Sequence, residues 1–234
     1  MTTSCRPLLV HVTALALLLA ASACTTTKEK STRGTLEVEA SNTKKPTSAY
    51  KMLPDEKGPI QADYALLHEE SGVYHPLEIG PFTRRDGYRY RDDVVDFSFS
   101  YMTPEDQASL KATVYVYPNG RGPTDIFSTE QERVAFMTAH LDETVSAFDQ
   151  FYAEAEAISA EALTIKTQND QLPWVMEEYR IVTRQPPIEE RISWTYISVK
   201  GPWYIKYRIS GPYNRRVEMR QLKDTFVESF TAQI

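Results

Sequence analysis

Two spacings of apolar residues alternate along the chain. In Tyr88–Tyr101 (YRYRDDVVDFSFSY), Val95, Phe97, Phe99 and Tyr101 fall on one side of an extended backbone, with Asp96, Ser98 and Ser100 on the other. That period of two marks a half-buried strand. Leu110–Tyr117 (LKATVYVY) repeats it, with Leu110, Ala112, Val114 and Val116 inward and Lys111, Thr113, Tyr115 and Tyr117 outward. Met102–Gln107 turns the chain between them, and Pro118, Asn119 and Gly120 close an antiparallel hairpin. The spacing then changes. Ser128–Glu132 (STEQE) offers two capping pairs, Ser128 with Gln131 and Thr129 with Glu132. Behind it Val134, Met137, Leu141, Val145, Phe148, Tyr152 and Ala155 recur at steps of three and four, which predicts one helix over about 129–160.

Strand spacing returns in Glu178–Arg184, Arg191–Lys200 and Trp203–Ile209, punctuated by Gln185–Pro186–Pro187, Gly201–Pro202 and Gly211–Pro212. Trp203, Tyr204, Tyr207 and Ile209 are placed to pair across strands with Trp194 and Tyr196. A closing helix over about 214–230 carries Val217 and a ridge of Met219, Leu222, Phe226 and Phe230. Upstream, Asp63–His68 reads as a short helical turn or an edge segment, and Leu77–Phe82, broken by Gly80 and Pro81, leads into the first long strand. The fold class expected is α+β: one domain over 64–234, a mostly antiparallel sheet packed against a long central helix and a C-terminal helix. About 170 residues suffice for one sizeable core.

The N-terminus has a different pattern. Residues 7–23 are nearly all apolar behind Arg6, for about 17 residues, short of the roughly 20 that a spanning helix needs. Small residues Ala21, Ser22 and Ala23 then precede Cys24, and the chain turns polar at Thr25–Lys30. This constellation resembles the lipobox of bacterial lipoproteins, departing from it at Ala21, where the pattern prefers Leu. The resemblance implies a signal peptide over 1–23 and lipidation at Cys24. With Thr25 in place of the aspartate that retains lipoproteins at the inner membrane, it also implies an outer-membrane anchor with the domain facing the periplasm. The alternative is a soluble periplasmic or secreted protein with an unmodified thiol. Cys5 and Cys24 are the only cysteines, so a processed chain would hold one, with no internal disulfide. Acylation would remove the oxidation hazard of that thiol, and several chains anchor stably where one does not. Residues 24–63 read as the lipidated cysteine, a Thr/Ser/Lys/Glu-rich flexible linker and a lead-in.

Charge narrows the function classes. With 32 acidic and 26 basic side chains, net −6, the chain lacks the basic face that nucleic-acid binding requires. Arg84–Arg91 (RRDGYRYR) interleaves cations with aromatics, but Asp86, Asp92, Asp93 and Asp96 lie within or beside it. Candidate chemistry is sparse. His68, Glu69, Glu70 and His75 (HEESGVYH) offer imidazole and carboxylate ligands for a divalent metal, at a spacing that matches no specific site. Asp92, Asp93 and Asp96 could serve as a glycosidic acid and base, but Asp92 and Asp93, adjacent on a strand, should face opposite sides. Glu177–Glu178 and Glu189–Glu190 read as solvated surface, and His140, beside the helical stripe, as a surface or satisfied histidine. No HExxH, phosphate loop or Gly-x-Ser-x-Gly elbow is present. We therefore assign no catalytic residue, metal or cofactor from the sequence.

Aromatics are the remaining signal: 14 tyrosines, 9 phenylalanines and 3 tryptophans. Tyr115 and Tyr117, with Tyr204 if Trp203 points inward, would form a ligand or partner surface unless helices cover that face. The order hairpin, long helix, hairpin, closing helix, together with GPWYIKYRISGP and MRQLKDTFVESF, resembles PsbP-like and Mog1-like domains over about 77–234. That resemblance implies a small scaffold for assembly or accessory binding and carries no functional residue onto this chain. The expected function is a non-enzymatic envelope accessory or binding module, held to the membrane through Cys24, with an envelope protein as partner. The alternatives are a periplasmic hydrolase with an unidentified site and a module binding a small ligand or lipid between sheet and helix.

Overall fold

The two-residue spacing becomes a large antiparallel sheet. The computed structural model describes residues 51–52, 57–91, 96–104, 109–122, 127–167 and 170–234. Cys24, the apolar run before it and the linker after it lie outside these residues. Short strands come first: β1 (Lys51–Met52), β2 (Gly58–Ile60), β3 (Leu66–His68), β4 (Val73–His75) and β5 (Glu78–Ile79). Then follow β6 (Phe82–Arg89), β7 (Phe97–Met102), β8 (Lys111–Pro118), helix α1 (Glu130–Ser146) and the one-turn helix α2 (Phe148–Phe151). The last elements are β9 (Tyr152–Lys166), β10 (Gln171–Thr183), β11 (Glu190–Lys200), β12 (Trp203–Pro212) and, after a 3₁₀ turn, α3 (Arg216–Thr231).

The main sheet runs β2-β6-β7-β8-β12-β11-β10-β9, with β5 beside β6; β1, β3 and β4 form a separate three-stranded sheet. This is the α+β architecture expected. Among the described residues no helix is long and apolar enough to cross a membrane.

Each face of the main sheet is covered. On one, Phe97, Phe99, Tyr101, Val114, Val116, Trp194, Ile205, Tyr207 and Ile209 pack with Met219, Phe226 and Phe230 of α3. Phe226 and Phe230 stack on each other at 5.7 Å and both meet Tyr101 and Tyr207 edge-on or tilted. Burying such rings contributes roughly 1.5–3 kcal/mol each, with a further increment from edge-to-face geometry. On the other face Met137 and Leu141 of α1 rest on Val175, Ile197, Val199 and Tyr204, and Phe148 of α2 rests on Tyr179 and Ile181.

Three expectations are corrected. The helix read over 129–160 ends at Ser146, and after α2 the chain enters β9 at Tyr152. Ala and Glu in YAEAEAISAEALTIK favour helix locally, but pairing with β10 along nearly its whole length overrides that propensity. The strand read over Tyr88–Tyr101 divides, since Arg89 pairs with Phe97 and the chain reverses between them. Val217 is 69% exposed and stands outside the α3 ridge that Met219, Phe226 and Phe230 bury. The capping alternative Thr129 with Glu132 is the one realised, as the Glu132 amide donates to the Thr129 hydroxyl.

One glycine is required by close approach. A Cβ at Gly87 of β6 would lie 2.3 Å from the buried Phe99 ring of β7, next to an irregularity in their register. Arg84 of the same strand reaches back and donates to the carbonyls of Ala62, Tyr64 and His75. It thereby ties the segment that carries β3 and β4 to the main sheet.

Candidate functional site

The site begins on β12. Its alternation puts Tyr204, Lys206 and Arg208 on the α1 side, opposite the residues that pack under α3. Pairing sets Tyr204 beside Tyr117, Lys206 beside Tyr115, and Arg208 between Thr113 of β8 and Thr195 of β11. Helix α1 closes over the Tyr204 end. His140 stacks on Tyr204 at 4.0 Å, and Phe136 lies parallel to it at 5.5 Å. The Tyr117 hydroxyl and His140 Nε2 are 2.7 Å apart, and Glu143 sits at His140 Nδ1. Tyr204 is buried and Tyr115 and Tyr117 are half-buried, so the three tyrosines form a helix-covered layer with an opening at the Tyr115 end. Burial pushes the Tyr204 phenol up to about 12 and raises Tyr115 and Tyr117 as well. The same cause lowers His140, against the opposing hydrogen bond to the Glu143 carboxylate.

Beyond His140 the helix ends, and Phe148 and Phe151 swing across the sheet. A cavity of about 260 Å³ lies beneath them, lined by Tyr115, Thr144, Ala147, Phe148, Phe151, Thr195, Lys206 and Arg208. Lys206 Nζ stands 4.6 Å from the Tyr115 ring centre and 5.3 Å from that of Tyr117. The Arg208 guanidinium lies over Phe148 and Tyr152 at 5.1 and 5.3 Å and donates one N–H to the Tyr152 hydroxyl. Such cation–π contacts partly replace lost hydration. They do not supply a counter-charge, and burial lowers the pKa of both cations. Asp96 opposes the shift at Lys206 through space, without ion-pair contact, and Tyr115 opposes it at Arg208. Thr144 is already committed, donating to the His140 carbonyl. Thr195 is not: its hydroxyl is buried, 1% exposed overall, and has no hydrogen-bond partner. Two desolvated cations and one idle hydroxyl thus line a single cavity.

A larger groove of about 590 Å³ runs between the end of β9 and α3, lined by Leu163, Ile165, Val227, Lys223 and Asp224 among others. Its cation Lys223 is answered within the groove. Lys223 Nζ bonds the Tyr196 hydroxyl at 2.9 Å and Asp224 at 2.6 Å.

The other sequence candidates lie elsewhere. His68 and His75 point into the core from β3 and β4, against Phe97, Phe99, Trp203 and Phe230, whereas Glu69 and Glu70 are exposed. The four residues do not converge as a ligand set, and among the described residues no three His, Cys, Asp or Glu side chains do. Asp92 and Asp93 lie outside the described residues, and Asp96 is half-buried. Glu178, read as solvated surface, is buried and ion-paired with Arg220 at 2.5 Å. Glu189 and Glu190 pair with Arg191 and Arg180 at the surface, as a solvated face would. Sequence reasoning missed Lys206, Arg208 and Thr195. The signal available was the alternation in WYIKYRI, which puts both cations on the same side as Tyr204.

No family model matches the chain, and no curated protein does. A solved structure, that of cyanobacterial PsbP (CyanoP) from Synechocystis sp. PCC 6803, is similar at 17% identity and a TM-score of 0.43, covering 74% of this chain and 92% of that one.

Proposed function

We propose that this protein is a membrane-tethered binding module without catalytic chemistry of its own, which receives a small ligand between the sheet and the α1–α2 junction. Cys24 and the small residues before it support the tether, with the polar segment 25–48 as spacer. The observation that carries the binding reading is the cavity under Phe148 and Phe151, lined by Lys206 and Arg208, neither in ion-pair contact with a carboxylate among the described residues, and by Thr195, whose buried hydroxyl has no partner. A core with no ligand to accommodate gains more from apolar side chains there, since buried charges without partners cost free energy.

Two measurements on the native protein test this reading. Intact mass and membrane fractionation beside a Cys24→Ser form address the tether. A triacylated chain starting at Cys24 in the outer-membrane fraction is expected, and a soluble chain with a free thiol overturns it. Native mass spectrometry of detergent-extracted protein addresses the ligand. A small-molecule adduct is expected, and it should be lost in Ala147→Trp, which adds bulk at the cavity wall. The same adduct in both forms, or none in either, removes the basis for a ligand module.

A further inference from the structure

The ligand's charge can be argued from the cavity walls. Arg208 uses one N–H on Tyr152, and among the described residues no carboxylate comes within ion-pair distance of Arg208 or Lys206. Two positive charges therefore meet in a small space with no fixed negative charge in contact, in a chain whose net charge is −6. The donors differ in kind. A guanidinium offers a planar fork suited to two oxygens of one group, and an ammonium offers a compact point charge with three rotatable donors. The Thr195 hydroxyl adds a third donor from the strand position directly opposite Arg208. Three donors of different geometry on neighbouring positions suit a group with several oxygens arranged in three dimensions. A carboxylate, flat and singly charged, leaves one cation uncompensated. A phosphate monoester carries about −1.5 to −2 at neutral pH and three terminal oxygens, which matches both the charge and the donor count. The rest of the cavity wall is aromatic: Tyr115 and Phe148 flank the cations, and Phe151, 65% exposed, stands at the mouth.

Resting on the reading of this cavity as a ligand seat, we propose that its ligand is a phosphate monoester, the phosphoryl group held by Lys206, Arg208 and Thr195 and the organic part leaving past Phe148 and Phe151. The chemistry is shared by two sources, a soluble phosphomonoester and a lipid whose headgroup is a terminal phosphate.

Calorimetric titration of the full chain in detergent with phenyl phosphate, inorganic phosphate and benzoate tests the assignment. Phenyl phosphate should bind saturably and at least about tenfold more tightly than benzoate, a difference of about 1.4 kcal/mol. Its affinity should weaken as pH falls through about 6, where the second phosphate proton returns. Lys206→Met should weaken it by about tenfold or more. Thr195→Val, which keeps the shape and removes the idle hydroxyl, should weaken it severalfold while leaving the fold at least as stable. A purely structural Thr195 would give the stability change without the affinity change. Flotation with vesicles of phosphatidylcholine alone or with phosphatidic acid identifies the source. Enrichment of the Cys24→Ser chain on phosphatidic acid assigns the lipid, and phenyl phosphate binding without that enrichment assigns the soluble ester. Benzoate binding as tight as phenyl phosphate, or phosphate binding indifferent to Lys206→Met, overturns the proposal. A neutral or carboxylate adduct lost in Ala147→Trp would overturn it while leaving the ligand-module reading intact. No adduct and no titrable anion would overturn both.

Discussion

Replacing His75 with Phe should raise stability and flatten its dependence on acid. His75 has no exposed surface, and neither ring nitrogen has a hydrogen-bond partner. Its neighbours are Phe97, Phe99 and Phe230, with ring centres 4.6–5.5 Å away. Burial holds its pKa well below the ordinary 6.5, and the charges of Arg84 and His68 act in the same direction. The folded chain therefore keeps this ring neutral where the unfolded chain protonates it. A depressed histidine pKa means that stability is full above about pH 6.5 and falls as pH drops, because the unfolded state gains the proton. Integrated from pH 7 to pH 5, one such group removes about 2 kcal/mol. His68, lowered to about 4 by burial first and Arg89 second, contributes over the same window, by less once solvent screening is allowed for. In His75→Phe the His75 share disappears. At pH 7 the loss of two unpartnered polar atoms is worth about 1–3 kcal/mol, offset in part by the larger ring, for a net gain of about 1 kcal/mol. At pH 5 the gain should be about 3 kcal/mol. Urea unfolding followed by the fluorescence of Trp174, Trp194 and Trp203, all buried, measures both. The difference between the two pH values is independent of how well Phe packs. If variant and wild type lose the same stability between pH 7 and pH 5, within about 0.5 kcal/mol, the pairing of burial with neutrality at His75 is wrong.

Arg84→Met should destabilise by about 3 kcal/mol, since three carbonyls lose a charged donor, and hydrogen exchange should rise first in residues 62–75. Gly87→Ala should cost about 2 kcal/mol through the clash with Phe99, read as a lower urea midpoint with an unchanged slope. Arg220→Ala should cost about 3 kcal/mol by leaving the Glu178 carboxylate buried and alone; adding Glu178→Gln should recover a large part, measured by a double-mutant cycle.

Strands with one buried and one covered face were readable wherever the alternation was strict. Leu110, Ala112, Val114 and Val116 are fully buried, and Tyr196 pairs directly with Tyr207, as their spacing implies. The edge strand β9 was not readable. Most of its side chains are exposed, so no apolar alternation marks it. Its Ala and Glu composition speaks for helix, and only the partner strand decides otherwise. The site was half legible. Tyr115, Tyr117 and Tyr204 could be placed on one face by parity, but whether a helix covered them depended on where α1 ended. Lys206 and Arg208 went unremarked because a cation on an alternating strand normally points to water. Here the same parity points both beneath a helix, and that is a tertiary fact.

That placement gives the two faces of the sheet unequal tasks. The α3 face holds a continuous layer of rings, and its one buried cation near the helix, Lys223, is answered by Tyr196 and Asp224. The α1 face is less sealed. Only Met137 and Leu141 of α1 are buried, and the last turn of the helix leaves a cavity over the sheet positions that carry Lys206 and Arg208. A domain can keep desolvated charges without contact partners only if stability comes from elsewhere, and the ring layer under α3 is the source this fold offers. On the proposed reading, stability and recognition then separate by face. Substitutions among Phe82, Tyr101, Tyr207, Phe226 and Phe230 bear on whether the chain folds, whereas Lys206→Met removes a half-buried charge without a contact partner and, on the proposed reading, a counter-charge for the ligand. A Lys206→Met variant at least as stable as the natural chain, with phosphate-ester binding weakened by about tenfold or more, is the outcome that this division of labour requires.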